Sequence, residues 1–294
     1  MTIVGIDLGY TYTKTSDGDI FPSMCTQSKP ILGGKQITFD EQTYFMGEGI
    51  GTVDVNKIDS DVTKACLMYA LGKLPANDSV KLVTGLPIGQ YQTQETAFKK
   101  MILDNRYKTV VVDECRRTIY IDDVKIYPQG AGALYSQNIP GDAILVDIGG
   151  RTVDIAFFGV SGNKRKLEKS CTLYDGMLVL YSAIIEQVNA NYDLTLPAKY
   201  AENILIRGLT IEGEPRDISF LAPTISVHVE RICEAIRLNY PYKTTSIYLC
   251  GGGGEILKKA FERRFKHVSL MENSQFANAI GFRKVGEMIW QTNR

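Results

Sequence analysis

Histidine is almost missing from this chain. Only His228 and His267 occur in 294 residues, beside a single tryptophan. Imidazole catalysis therefore has little material. The six cysteines (Cys25, Cys66, Cys115, Cys171, Cys233 and Cys250) are scattered and form no C-x-x-C pair. Neither a zinc site nor a disulfide framework is expected, and a reducing cytosol is the default. Neither sign of charge is in excess, with 33 Lys+Arg against 33 Asp+Glu. Without a bulk basic field, direct nucleic-acid binding is not expected. No apolar run approaches membrane-spanning length, and the N-terminus runs straight into a strand without a basic and apolar leader pattern. A cytoplasmic protein with no membrane partner is the expectation. There is no G-x-x-x-x-G-K-[ST], so any phosphate grip is not a P-loop. Linkers, low-complexity tracts and short repeats are also lacking. What remains is an ordinary globular composition, 44% hydrophobic, long enough for two domains.

The stretch Ala143–Phe158, AILVDIGGRTVDIAFF, organises the rest. Ile144, Leu145 and Val146 lead into a turn, and Val153, Ile155, Ala156 and Phe157 lead out of it. Two apolar strands around a short glycine loop read as a β-hairpin. Glycines let backbone N–H groups approach a ligand closely. A carboxylate at the entrance, Asp147, can hold Mg²⁺ or its waters beside a phosphate. The pattern also stands at Ile3–Lys14, IVGIDLGYTYTK, where Asp7 and Gly9 precede Asp147 and Gly149 by 140 residues. One D-x-G hairpin is an ordinary polar turn. Two in register indicate similar halves that grip a nucleotide between them. Tyr10 and Tyr12 fit a strand face, Thr11 and Thr13 offer hydroxyls, and Lys14 can reach back to phosphate oxygens. A third signal is Ser246–Leu257, SIYLCGGGGEIL. There a strand, Ile247–Cys250, runs into Gly251–Gly254 and then a helix, a turn on which a flat ring or phosphate can lie.

Between these signals the chain reads as follows. Ile20–Lys35 is irregular. Gln36–Gly47 is strand, turn, strand, and Glu48–Lys57 is turn-like. Asp59–Leu74 has helical spacing, with Asp59, Ser60 or Asp61 as cap. Val80–Gly85 is a buried strand, Gln94–Asp104 a helix, and Thr109–Tyr127 two strands. Pro128–Ser136, PQGAGALYS, reads as a helix whose small residues permit close packing, with Gln129 pointing at the nucleotide site. Gly159–Lys169 is a basic turn and strand. Tyr174-Asp175-Gly176 opens a helix, Met177–Val188, and Gly176 can present bare N–H groups there. Pro197–Arg207 is helical, Leu209–Asp217 strand and turn, and Pro223–Asn239 a strongly amphipathic helix. Arg263, Arg264, Lys266 and His267 form a basic, solvated helix end, and Ser274–Trp290 is a last helix packed on the body.

In order and spacing, IDLGYTYTK, VDIGGRTVDI and YLCGGGGEIL resemble the two phosphate motifs and the adenosine motif of the actin/Hsp70/sugar-kinase superfamily. PQGAGAL and FANAIGFRKVG resemble its connecting helices. Within it the chain is most similar to the ParM-type bacterial actins of plasmid segregation, with TYFMGEG, VTGLP and VKIYPQGAGAL in support. The resemblance covers essentially the whole length. It implies an α/β actin-like fold of two domains, 1–141 with the helix 274–294, and 142–273. Each is a ribonuclease-H-like mixed sheet with flanking helices, and the nucleotide lies in the interdomain cleft.

The resemblance also implies roles. Asp7 and Asp147 organise Mg²⁺ and the attacking water. Gly9, Tyr10 and Thr11 cover the β-phosphate, and Gly149, Gly150, Arg151 and Thr152 the γ-phosphate side. Lys14 approaches the phosphates, Asp154 orients waters, and Gln129 orients the hydrolytic water. Gly251, Gly252 and Gly253 line purine and ribose. From the residues alone, Gly176 is a further cofactor-binding candidate through its N–H groups, and Lys199 and Glu202 are candidates for ribose or base contact, with a solvated helix face as their alternative. Tyr10 replaces a small hydroxyl residue of the family, Arg151 replaces its threonine, and the region before Pro223 is short. The implied function is an ATP-hydrolysing (or GTP-hydrolysing) filament that segregates plasmid DNA through a DNA-bound adaptor. Its ligands are ATP/ADP or GTP/GDP with Mg²⁺. A small-molecule kinase of the same fold is the alternative, and it calls for a substrate-binding insertion that the sequence does not display. A chaperone-type ATPase calls for a substrate domain after the last motif, and a membrane-bound shape-determining actin for an N-terminal amphipathic helix.

Overall fold

Strand β1 (Thr2–Leu8) is buried along Val4–Leu8, an apolar run interrupted only by Gly5 and Asp7. Such a run suits a strand covered on both faces. The computed structural model describes residues 2–31, 33–51, 57–58, 60–74, 79–162 and 164–291. They divide into two units, Met1–Ile139 with Phe276–Arg294, and Pro140–Gln275.

In the first unit, β1 is followed by β2 (Tyr12–Thr15), β3 (Ile20–Pro22), β4 (Met24–Thr26), β5 (Gln36–Phe39), β6 (Gln42–Met46) and β7 (Ile50–Gly51). Helix α1 (Asp61–Gly72), strand β8 (Ser79–Leu86), helix α2 (Ile88–Asp104) and strands β9 (Tyr107–Val112) and β10 (Cys115–Pro128) complete it. One sheet runs β3-β2-β1-β8-β10-β9-β5-β6-β4-β7. Strands β1, β8 and β10 are parallel neighbours, with antiparallel pairs outside them. The Ser60 side chain caps α1 by accepting from the Thr63 N–H at 3.2 Å. Of the other two candidate caps, Asp61 is the first helical residue, and Asp59 lies outside the described residues.

Three expectations change here. The irregular stretch Ile20–Lys35 contains β3 and β4, whose three-residue lengths are too short for a visible alternation. Helix α2 starts at Ile88 rather than Gln94, with no side-chain cap to announce it. Pro128–Ser136 is not a helix: Pro128 ends β10, and only Ala133–Tyr135 makes a single 3₁₀ turn. The Gln129 N–H still bonds the Leu86 carbonyl across the sheet at 2.8 Å, and Gly130 then turns at φ +78°. The small residues do permit close packing. The C-terminal helix (Ala277–Gln291) lies so near this turn that a Cβ on Gly281 would meet the Gly132 carbonyl oxygen at 1.8 Å.

The second unit comprises β11 (Ala143–Ile148), β12 (Val153–Ser161), β13 (Lys164–Leu173), α3 (Met177–Tyr192), α4 (Ala201–Arg207), β14 (Leu209–Ile211), β15 (Glu214–Arg216), α5 (Ala222–Asn239), β16 (Ser246–Cys250), α6 (Gly251–Glu262) and β17 (Val268–Leu270). Its main sheet runs β13-β12-β11-β16-β17. That repeats β3-β2-β1-β8-β10 of the first unit: three antiparallel strands, then two more joined in parallel. Helices α3, α5 and α6 supply Leu180, Ile184, Val229, Ile232, Leu257 and Phe261 to the core of this unit.

Candidate functional site

The two D-x-G hairpins fold alike. In the first, Asp7 pairs with Lys14 and Leu8 with Thr13. In the second, Asp147 pairs with Asp154 and Ile148 with Val153. The offset of the sequence thus holds at every position of the strand register. Each hairpin also lies beside a parallel strand, with Ile6 facing Thr84 and Val146 facing Leu249.

In the first unit, Asp7 is 4% exposed, and both its oxygens have partners. The Gln129 side-chain amide donates to Oδ1 at 2.7 Å, and the Lys14 ammonium stands 3.5 Å from Oδ2. The fold therefore brings together the two catalytic candidates of this unit and the lysine expected at the phosphates. Thr11 offers a buried Oγ1 with no hydrogen-bond partner among the described residues. A buried hydroxyl seldom stays unsatisfied, so it is available to a ligand. Thr13 is not available, because its hydroxyl is shared with Ser23 at 2.9 Å. The Tyr10 side chain does not cover the loop from outside. It is buried, and its hydroxyl accepts from the Gln90 amide of α2 at 3.0 Å. Lys57, which no motif singles out, is 2% exposed and donates to the Leu8 carbonyl just before Gly9. Its ammonium also sits 4.7 Å from the centre of the Tyr10 ring.

In the second unit, Asp147 is 8% exposed and Asp154, also buried, accepts from the Thr172 hydroxyl. The Gly149 N–H closes the turn on the Thr152 carbonyl at 2.9 Å. Gly176 is expected to present bare N–H groups, and it does not. The N–H groups of Gly176, Met177 and Leu178 donate to the carbonyls of Arg151, Gly149 and Gly150 at 3.2, 3.0 and 2.8 Å. The start of α3 thus holds the loop itself, so closely that a Cβ on Gly176 would lie 2.4 Å from the Arg151 carbonyl carbon. With their carbonyls turned to α3, Gly149, Gly150 and Arg151 form a loop backed by amides.

The glycine run Gly251–Gly254 is the first turn of α6 rather than a loop before it. Gly251 takes φ +76°, open chiefly to glycine, and a Cβ there would stand 2.6 Å from Asp147 Oδ1. Gly253 is packed on Ile148 and Met177. Gly252 alone of the three purine candidates has room, its nearest neighbour being Gln275 Nε2 at 3.7 Å. Lys199 is exposed in a 3₁₀ turn, 5.7 Å from the Tyr200 ring centre, and Glu202 lies half-buried in the first turn of α4.

These residues fit a Mg-nucleotide. Cradles that a Cβ would fill, an orphaned hydroxyl and a buried cation suit phosphate. In each unit by itself the buried carboxylate, Asp7 in the first and Asp147 in the second, suits Mg²⁺, which is commonly held by one or two carboxylates together with substrate phosphates. Among the described residues no cluster of three or more His, Cys, Asp or Glu side chains forms an all-protein metal cage. No described helix is long and apolar enough to cross a membrane.

Comparison with known proteins agrees with this geometry. The family model for the N-terminal domain of actin-like proteins matches residues 5–132, and that for the C-terminal part of archaeal MreB-like actin homologues matches residues 145–263. Archaeal actin homologues from Thermoplasma acidophilum and Thermoplasma volcanium are 28% and 26% identical, each over 98% of this chain and 99% of theirs. A 15-stranded ParM filament from Clostridium botulinum aligns with a TM-score of 0.80 at 25% identity, over 97% of this chain and 99% of that one. An archaeal actin homologue crystallised with ADP aligns with a TM-score of 0.83 at 24% identity, over 98% of this chain and all of the other. The fold is the two-domain actin-like α/β fold with mixed sheets and flanking helices, and the chain belongs to the actin-like proteins.

Proposed function

We propose that this protein binds a purine nucleoside triphosphate with Mg²⁺, assembles into filaments, and hydrolyses the nucleotide to take them apart. The observation that carries the reading is the matched pair of hairpins, with Asp7 and Asp147 buried at equivalent positions of the same strand register. Each hairpin contributes backbone amides for phosphate. Lys14 and the Thr11 hydroxyl add to the first, and Arg151 to the second. Bound Mg²⁺ would be held through Asp7 and Asp147 and would offset charge on the β- and γ-phosphates. The Gln129 amide, already aimed at Asp7, orients the attacking water by hydrogen bonds. An amide is no strong base, so Asp147 takes the proton. Asp154 steadies neighbouring waters, and Gly252, Lys199 and Glu202 contact the nucleoside.

Likeness to a ParM filament at 25% identity over nearly both chains supports self-assembly. ADP in the related archaeal actin homologue supports adenine nucleotides, with guanine nucleotides as the variant to test. The finer role is cytoplasmic positioning of plasmid DNA through a DNA-bound adaptor. The zero net charge supports an adaptor over direct DNA contact. The test is light scattering and pelleting with phosphate release on the same sample, using ATP, GTP and ADP. Expected is a steep rise in pelleted protein above a critical concentration with a triphosphate, followed by decay as phosphate appears. A protein that stays monomeric with every purine triphosphate, yet phosphorylates a small alcohol, overturns the filament reading in favour of the kinase.

A further inference from the structure

The two phosphate loops face one structural problem and solve it differently. A loop that offers N–H groups to an anion must turn its carbonyls away and satisfy them elsewhere. In the second unit the first N–H groups of α3 do this for Gly149, Gly150 and Arg151. In the first unit the Thr11 carbonyl, which matches that of Arg151, accepts the Ser23 N–H at 2.8 Å, and the Leu8 carbonyl at the entrance of the turn receives the ammonium of Lys57. Leu8 C=O and Gly9 N–H belong to one planar trans peptide, so they point in opposite directions. Fixing the carbonyl on Lys57 therefore fixes the direction of the Gly9 N–H, the first donor of the loop.

The lysine is itself aimed. It is 2% exposed and stands 4.7 Å from the centre of the Tyr10 ring, a cation–π distance. Tyr10 is tied through its hydroxyl to Gln90 in the first turn of α2. Tyr10 is thereby the platform for the cation. The second hairpin has Gly150 at the equivalent position and uses helix amides.

We infer that Lys57 is a positioning residue for phosphate: with Tyr10 and Gln90 it orients the Leu8–Gly9 peptide and places a buried positive charge behind the first loop. The inference rests on the nucleotide reading above. Its signature is selectivity, because orienting an N–H toward phosphate matters only for a ligand that carries one.

The full chain is titrated by calorimetry with Mg-ATP, ADP and adenosine, as wild type, Lys57→Met, Lys57→Arg and Tyr10→Leu. Lys57→Met should weaken ATP and ADP by about tenfold or more, the scale of a lost charge-assisted hydrogen bond, and leave adenosine unchanged. Lys57→Arg, which keeps donor and charge, should recover much of the loss. Tyr10→Leu removes the platform but no backbone N–H, and should show the same selective loss; it decides the matter if Lys57→Met does not fold. Either variant folded and binding ADP within about twofold of wild type overturns the inference, as does an equal loss for adenosine. A wild type that binds none of the three ligands overturns the nucleotide reading instead.

Discussion

Gln129 and Asp7 are the pair on which the proposed hydrolysis turns at the residue scale. The amide donates at 2.7 Å to one oxygen of a carboxylate whose other oxygen faces Lys14. Removing the amide takes away the group proposed to orient the attacking water and leaves the hairpins intact. Gln129→Ala should still assemble with ATP but release phosphate about 10²–10⁴ times more slowly, giving long-lived filaments. Phosphate release recorded beside light scattering checks this, and wild-type release would remove Gln129 from the mechanism. Asp7, Gly9, Asp147 and Gly149 were legible in the sequence because acid and glycine stand at fixed steps from apolar strands. Lys57 was not legible. It is 49 residues from the carbonyl it holds, and no local pattern marks a lysine that the fold will bury.

Elements with a strong period could be read, and those set by tertiary contact could not. Helix α5 and the hairpins carry their apolar spacing openly. The stretch after Pro128 carries helix-start chemistry but obeys the sheet beside it, where Leu86 claims the Gln129 N–H. The helix packed on that stretch makes a sharp prediction. Alanine normally improves a helix interior over glycine by roughly 0.5–1 kcal/mol. At Gly281 its Cβ would meet backbone at 1.8 Å. Gly281→Ala should therefore lose roughly 1–3 kcal/mol, as overpacked sites do, visible as a lowered melting temperature. A second prediction belongs to α5. His228 is 4% exposed, its Nδ1 lies 3.5 Å from Asp175, and its Nε2 is buried without a hydrogen-bond partner among the described residues. Burial holds its pKa below the ordinary 6.5, outweighing the Asp175 carboxylate that raises it, while Arg231 also lowers it. As pH falls through the unfolded value, the unfolded chain takes up a proton that the folded chain refuses. This contribution destabilises on acidification, and levels off below the folded pKa. His228→Gln should show a smaller fall in melting temperature between about pH 7 and about pH 5 than wild type.

For the whole molecule, the lesson is one strand order used twice with different backing behind each loop. The C-terminal helix packs on β1 so closely that a Cβ on Gly5 would lie 2.0 Å from the Ala279 carbonyl oxygen. Strand β1 is therefore covered by residues that leave the ribosome some 270 positions after it, when all of Pro140–Gln275 has already emerged. Domains generally fold as units during synthesis. The second unit, continuous in sequence, can close first, while the Asp7 hairpin waits on an open face. Strand β1 of a nascent chain thus keeps an uncovered face until translation has passed Gly281.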